Sequence, residues 1–276
     1  MPEADDKITI WDHVEELRTR LMRAVIAVIV LAVGWFLYPE VLFDRIIFWP
    51  LFPDFPLHNW GCALSQWLDI SSTFCFEGPL LHISNIRFTG QFIQHITLSL
   101  LAGVVTAFPY VLWQVWRFIR PGLKSNEARW GRLFLWGGSG LFFLGVLFGY
   151  FFLVPVTTQF LSHYTVSTYV TNIITLQSYI STVTALVFAT AFVFELPLIV
   201  YTLTRMGLVT AGTLRTYRRH AAIIILALSA IITPPDVMSQ LVLFLPFFLL
   251  YQISIGIARR AEPKEEDDDE NDEDPT

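Results

Sequence analysis

Two long runs without formal charge leave this chain few ways to fold. Residues 88–116 contain no Asp, Glu, Lys or Arg, and neither do the 62 residues 133–194. Stretches of this length cannot present an ordinary water-exposed surface. They suit a bilayer, where every backbone N–H and C=O must find its partner within the protein. The apolar residues run on without the period-two alternation of an outer-membrane barrel, so helices are the remaining solution. Composition agrees: 54% of residues are hydrophobic and 15% charged, against about 25% charged in a soluble domain. The expected fold class is an all-α polytopic membrane protein.

The connection between the two runs sets orientation. Residues 117–132 carry five basic residues and one acid, which reads as a cytoplasmic loop. Alternating sides from there puts 16 of the 18 basic residues in the cytoplasm and only Arg45 and Arg87 outside. That asymmetry predicts six spans with both termini cytoplasmic. Residues 1–23 form a cytoplasmic amphipathic segment and 24–258 the membrane domain. External loops fall at 51–91 and 156–178, with cytoplasmic loops at 117–132 and 204–219. The first apolar run, preceded by Arg18, Arg20 and Arg23, reads as an uncleaved first span. The last two apolar runs, about 220–233 and 237–258, are short and separated by Thr233-Pro234-Pro235-Asp236. Two short crossings or a re-entrant hairpin both satisfy the charge balance.

The net charge of −6 is set by the end of the chain. Glu262–Asp274 holds ten acids and one lysine, which leaves +3 for the rest. The tail, residues 259–276, is of a composition expected to stay disordered in the cytoplasm.

Few residues invite a chemical reading. Phosphate-binding glycine loops, zinc-ligand spacings and nucleophile elbows are absent from the sequence, so neither an enzyme nor a cofactor is expected. His58 and His82 have no metal-ligand spacing, and no nucleic-acid partner is indicated. Cys62 and Cys75 share the first external loop and can pair there, closing a loop of about a dozen residues at roughly 3 kcal/mol. The bland reading of His95 is an interfacial histidine. Asp12 and Glu15 fit a capping box, Glu16 and Arg20 are spaced i,i+4, and Val14, Leu17 and Leu21 form one stripe. On that pattern alone the segment is a lead-in at the membrane surface. Glu195, within Phe194-Glu195-Leu196-Pro197, is the costly residue. A carboxylate inside a span needs water, a hydroxyl, a cation or a proton. Read alone, it admits a proton-coupled small-solute transporter.

Several phrases in order resemble the TatC family, the multi-span subunits of the twin-arginine protein translocase. They are His13-Val14-Glu15-Glu16-Leu17-Arg18-Thr19-Arg20-Leu21, Pro50, the stretch from Pro109-Tyr110 through Arg120-Pro121-Gly122-Leu123 with Glu127 following, Phe194-Glu195-Leu196-Pro197, and Thr233-Pro234-Pro235-Asp236-Val237-Met238-Ser239-Gln240. The resemblance implies a concave bundle of six helices, the last two short, in the cytoplasmic membrane. It implies a core and receptor subunit that binds Arg-Arg signal peptides on folded cargo and recruits TatA-like and TatB-like single-span subunits, lipids and further copies of itself. By resemblance Glu16, Arg18, Arg20, Phe118 and Glu127 belong to the recognition surface. Glu195 and Gln240 belong to intramembrane partner contacts. Pro50 and Asp236 shape external ends. Two carboxylates can receive two guanidinium forks, and Phe118 can flank them. The cysteine-bearing loop is longer than the family pattern, His95 stands where a lysine is common, and the acidic tail is distinctive.

Overall fold

The structure is a computed structural model. It describes residues 10–52, 54–57, 83–119, 131–165, 167, 169, 172–232 and 237–262, without side chains at 10–13, 132, 133, 163, 237–239 and 242. Cys62, Cys75, Glu127, Asp236 and the acidic run beyond Glu262 lie outside the described residues.

Helix α1, Ile10–Phe36, joins the amphipathic segment and the first span into one rod of 27 residues, about 40 Å at the helical rise. The chain then makes a wide π turn at Val41–Ile47 and a tight 3₁₀ turn at Trp49–Leu51. Helix α2, Gly90–Ile119, returns antiparallel to α1 and carries Pro109 in its interior. Gly103 permits that contact. A Cβ there would stand 2.8 Å from the Ala32 nitrogen and the Val28 carbonyl.

Helix α3, Gly131–Phe148, passes through a π turn at Gly149–Leu153 into α4, Val154–His163. Pro155 therefore does not end the third span. It sits in the first turn of α4, where a missing N–H costs little, and the π turn absorbs the mismatch ahead of it. The helix extends eight residues into the stretch expected to be the second external loop.

Helix α5, Leu176–Phe194, starts on Thr175, whose Oγ1 accepts from the Ser178 N–H at 3.2 Å. It stops at Glu195, and α6, Leu196–Arg205, resumes at once. Proline at the second position of α6 cannot donate to the preceding turn, so the break follows from the local sequence. Helix α6 ends at Gly207, where φ is +72°. Leu208 N–H reaches the Leu203 carbonyl and Gly207 N–H the Thr204 carbonyl, each at 3.0 Å. That is a Schellman closure, which needs the left-handed residue that glycine supplies. The short helix α7, Ala211–Thr216, leads to α8, Arg218–Ile232, and α9, Val237–Ala261.

Among the described residues, five helical segments are long and apolar enough to cross a bilayer: Val14–Phe36, Gly90–Ile119, Phe134–Ser162, Leu176–Arg205 and Leu243–Ala261. Helix α8 has 15 residues, about 22 Å. The only strands among the described residues are Ile83–Ser84 and Ile174–Thr175, paired in parallel and tying the two loop regions together.

The core forms where α5 meets its neighbours. Tyr179, Ile180, Val183 and Leu186 pack with Leu42, Ile47, Leu98 and Val154. Gly145 and Gly149 let α3 and the following π turn press onto α5. A Cβ at Gly145 would stand 2.8 Å from the Ala191 Cα, and one at Gly149 would stand 2.3 Å from the Thr190 Oγ1. The four-residue spacing of Gly145 and Gly149 is thus a packing device. Several buried hydroxyls turn back on their own helices. Thr190 donates to the Leu186 carbonyl at 2.8 Å, Ser229 to Ile225 at 2.9 Å and Ser254 to Leu250 at 2.8 Å. In lipid such self-satisfaction is the available route for a hydroxyl without a neighbour to bond.

Candidate functional site

The amphipathic start of α1 holds the first group of expected site residues. Glu16 and Arg20 lie one turn apart, and the Arg20 guanidinium grips one carboxylate oxygen with both Nε, at 2.9 Å, and Nη2. The Glu16 side chain is 33% exposed and that of Arg20 15%, so Glu16 keeps an accessible face. Arg18 is exposed. Glu15, Glu16, Thr19, Arg20 and Arg23 line an open hollow of about 330 Å³.

The antiparallel register of α1 and α2 decides what stands beside this hollow. Gly103 abuts Val28 and Ala32, and His95 stacks on Phe36 at 4.1 Å between ring centroids. As residue numbers rise along α1 they fall along α2. Glu16, near the start of α1, therefore lies at the same end of the pair as Phe118, the penultimate residue of α2. Phe118 is half-buried. Aromatic neighbours stiffen this end. The Arg117 guanidinium covers Trp113 at 5.2 Å, and Trp116 packs on Phe134 at 4.9 Å. Gly131 is required here, because a Cβ would stand 2.4 Å from the Trp116 indole nitrogen.

The second group centres on Glu195. Its side chain is only 6% exposed, and Oε1 is buried with no hydrogen-bond partner among the described residues. Gly138 makes the room. A Cβ there would fall 2.6 Å from Cδ2 of both Leu112 and Leu198 and 3.5 Å from the Glu195 Oε2. Three helical segments thus converge on the carboxylate, and apolar side chains line the approach. Gln114 Oε1, Ser139 Oγ and Thr204 Oγ1, on the same segments, are likewise buried without partners among the described residues. A carboxylate so placed can act only through a polar group brought to it, because an unpaired buried charge is costly.

The other expected residues serve different ends. Gln240 donates from Nε2 to the Leu226 carbonyl at 3.1 Å and so braces α9 against α8. Pro50 is buried in the 3₁₀ turn, next to Trp49, which packs edge-on against Phe55 at 5.2 Å. His95 lies between Phe36 and Phe43. Two anchors were not singled out from the sequence. Tyr179 donates to the Ile47 carbonyl at 2.7 Å, and Tyr150 donates to the Ile46 carbonyl. They pin the π turn after α1 to the third and fourth spans. The available signal was a tyrosine inside each apolar run, where a hydroxyl must find an acceptor.

Among the described residues no group of three His, Cys, Asp or Glu side chains could hold a metal ion. The chain is an all-α, multi-pass inner-membrane protein. Residues 12–246 match the model of the family described as "Sec-independent protein translocase protein (TatC)". The protein of that name from Blattabacterium sp. subsp. Periplaneta americana is 34% identical over 259 residues, covering 94% of this chain and 97% of the relative. The one from Helicobacter pylori is 32% identical, covering 94% and 90%. Two crystal structures of the twin arginine translocase receptor TatC, one of them in DDM, align with TM-scores of 0.69 and 0.71 at 30% and 31% identity. They cover 90% and 89% of this chain and 99% of theirs. The chain belongs to the TatC family. It is accordingly a non-enzymatic subunit of protein translocation, and the solute-transporter reading of Glu195 is set aside.

Proposed function

We propose that this chain, a core and receptor subunit of the Sec-independent translocase, recognises paired arginines of signal peptides on a surface built from Glu16, Arg18, Arg20, Phe118 and Glu127. The observation that carries this is the antiparallel register of α1 and α2, which brings Glu16 and Phe118 to one end. The Arg20 grip on Glu16 rehearses the contact, since one guanidinium already takes the carboxylate by two N–H groups. A peptide arginine uses the remaining carboxylate oxygen, and Glu127 receives the second. Glu195, with α8 and Gln240, forms the intramembrane surface for TatA-like and TatB-like single-span subunits. An unpartnered buried carboxylate favours a helix that carries a hydrogen-bonding side chain. Signal peptide, single-span subunits, lipid and further copies of the chain are the partners of this reading.

The membrane arrangement belongs to the same proposal. Helix α8 and the start of α9 make the last two, short crossings, which gives six spans with both termini in the cytoplasm. The charge asymmetry of the loops supports this, and local thinning accommodates the short pair.

Crosslinking of Arg-Arg and Lys-Lys signal peptides to the full chain in membranes tests the site. Labelling is expected with Arg-Arg, weakly with Lys-Lys, and to fall about tenfold in Glu16→Ala/Glu127→Ala, roughly 1.4 kcal/mol. Equal labelling by both peptides, unchanged in the double variant, overturns the assignment.

A further inference from the structure

One end of the molecule gathers arginines that make no ion pair among the described residues. Arg215 lies in α7, Arg218 and Arg219 open α8, and Arg259 and Arg260 close α9; all five are exposed. They belong to one packed unit. Ala211 and Ala258 are buried together with Leu214 against them. The Tyr251 hydroxyl donates to the Leu214 carbonyl at 2.8 Å, and the Arg218 guanidinium covers Phe248 at 5.5 Å. None of the five is ion-paired among the described residues.

The way the chain leaves this unit is fixed. Glu262 continues the last turn of α9, donating its N–H to the Ala258 carbonyl at 2.9 Å. Its carboxylate accepts from the Ala211 N–H. Glu262, the last described residue, thus stands between the two arginine-bearing segments. Residues 263–276 then follow, with nine acids and one lysine. Fourteen residues reach up to about 50 Å when extended, more than enough to return over a unit that begins at their own root.

We propose that residues 263–276 lie over Arg215, Arg218, Arg219, Arg259 and Arg260 as a tethered counter-charge. Single exposed pairs are worth little, but many carboxylates held near five arginines bind as a multivalent ligand at high effective concentration. Lipid phosphate is the rival anion for the same guanidinium groups, and the tail outcompetes it because it is tethered. The placement is independent of peptide recognition. Where the signal-peptide reading also holds, the tail removes the repulsion that an arginine-rich face would exert on an Arg-Arg peptide and leaves Glu16 to act locally.

The test measures distances between spin labels at Asn271→Cys and Thr216→Cys in the full chain carrying Cys62→Ser and Cys75→Ser. It is run in nanodiscs of neutral and of anionic lipid. A short-distance population is expected in both lipids at 0.15 M salt and is lost at 1 M, as the screening length falls from about 8 Å to about 3 Å. The same loss is expected at low salt in Arg215→Gln/Arg218→Gln/Arg219→Gln. Arg259→Gln/Arg260→Gln, on the other segment, gives an independent reading should the first variant fold poorly. A distribution indifferent to salt and to both variants overturns the proposal. So does a short population present in neutral but absent in anionic nanodiscs, because lipid phosphate then holds the arginines.

Discussion

The first and fourth spans meet the same bilayer in opposite ways. Only 6% of the apolar window of Val14–Phe36 is buried in the protein, against 44% for Leu176–Arg205. Helix α1 leans on α2 and turns Val25, Ile26, Ile29, Val30 and Val33 outward. Helix α5 is gripped on several sides, and the span it begins is broken at Glu195 where the packing is dense. An outward-facing helix in lipid loses nothing by exposing Leu or Val, because the solvent is as apolar as the side chain. Sequence there needs only to be apolar. A central helix must match its neighbours in shape, and a polar atom on it must be answered. The peripheral span therefore carries a solvent-accessible polar end, whereas the central span holds a buried carboxylate whose Oε1 has no partner among the described residues.

Glycine substitution breaks this comparison most directly. Gly145→Val drives side-chain atoms into the Ala191 backbone, where even a bare Cβ stands 2.8 Å from Cα. Overpacking of that kind is expected to cost about 3 kcal/mol. Thermal unfolding in detergent should show a large drop. Gly34→Ala in α1 meets nothing within 4 Å and should leave the midpoint unchanged. Equal effects at the two positions would remove the distinction between the spans.

At Glu195 the expected loss is in association rather than stability. Glu195→Ala removes a buried carboxylate whose Oε1 has no partner among the described residues, so the chain's own unfolding midpoint should hold or rise. Co-purification with single-span subunits should fall about tenfold, roughly 1.4 kcal/mol. A variant that unfolds early yet keeps its partners would assign Glu195 to the fold instead.

Tyr179→Phe tests the joint between the two regions. It strips the Ile47 carbonyl of its donor, at a cost of about 1 kcal/mol. Hydrogen exchange should rise at residues 41–51 ahead of the rest of the chain. Uniform exchange would mean that the hydroxyl does not anchor the turn.

The smallest effect belongs to the surface of α1. Arg20→Gln removes a partly buried i,i+4 pair on a helix surface, worth about 0.5 kcal/mol, so stability should change little. Arg-Arg peptide labelling is the sharper readout. It should shift in either direction if Glu16 is the acceptor, and an unaltered value would detach Glu16 from the site.

Much of this molecule is written in its charge pattern. The uncharged runs place the long spans, and the basic loop marks one side. Glu16 and Arg20 are legible as a pair because a helix turn is a local property. Glu195 is legible as costly because lipid penalises a carboxylate wherever it sits. The sequence did not reveal that α1 runs unbroken from Ile10 or that the helix of the third span passes Pro155 to His163. Those outcomes balance a local backbone preference against the packing around it. The tyrosine anchors were hidden for another reason: their acceptors lie more than a hundred residues away.

By itself, then, the sequence determined the solvent, the helical class and the order of apolar and basic segments, because transfer into lipid depends on composition over short windows. Only the tertiary structure decided which apolar faces meet protein and which meet lipid. It alone set Glu16 and Phe118 at one end of a helix pair, left Oε1 of Glu195 unanswered beside Gly138, and fixed Glu262 against Ala211. These depend on the register of helices distant in sequence. In a bilayer that register is chosen by close contact at small residues and by a few polar atoms that must be paired.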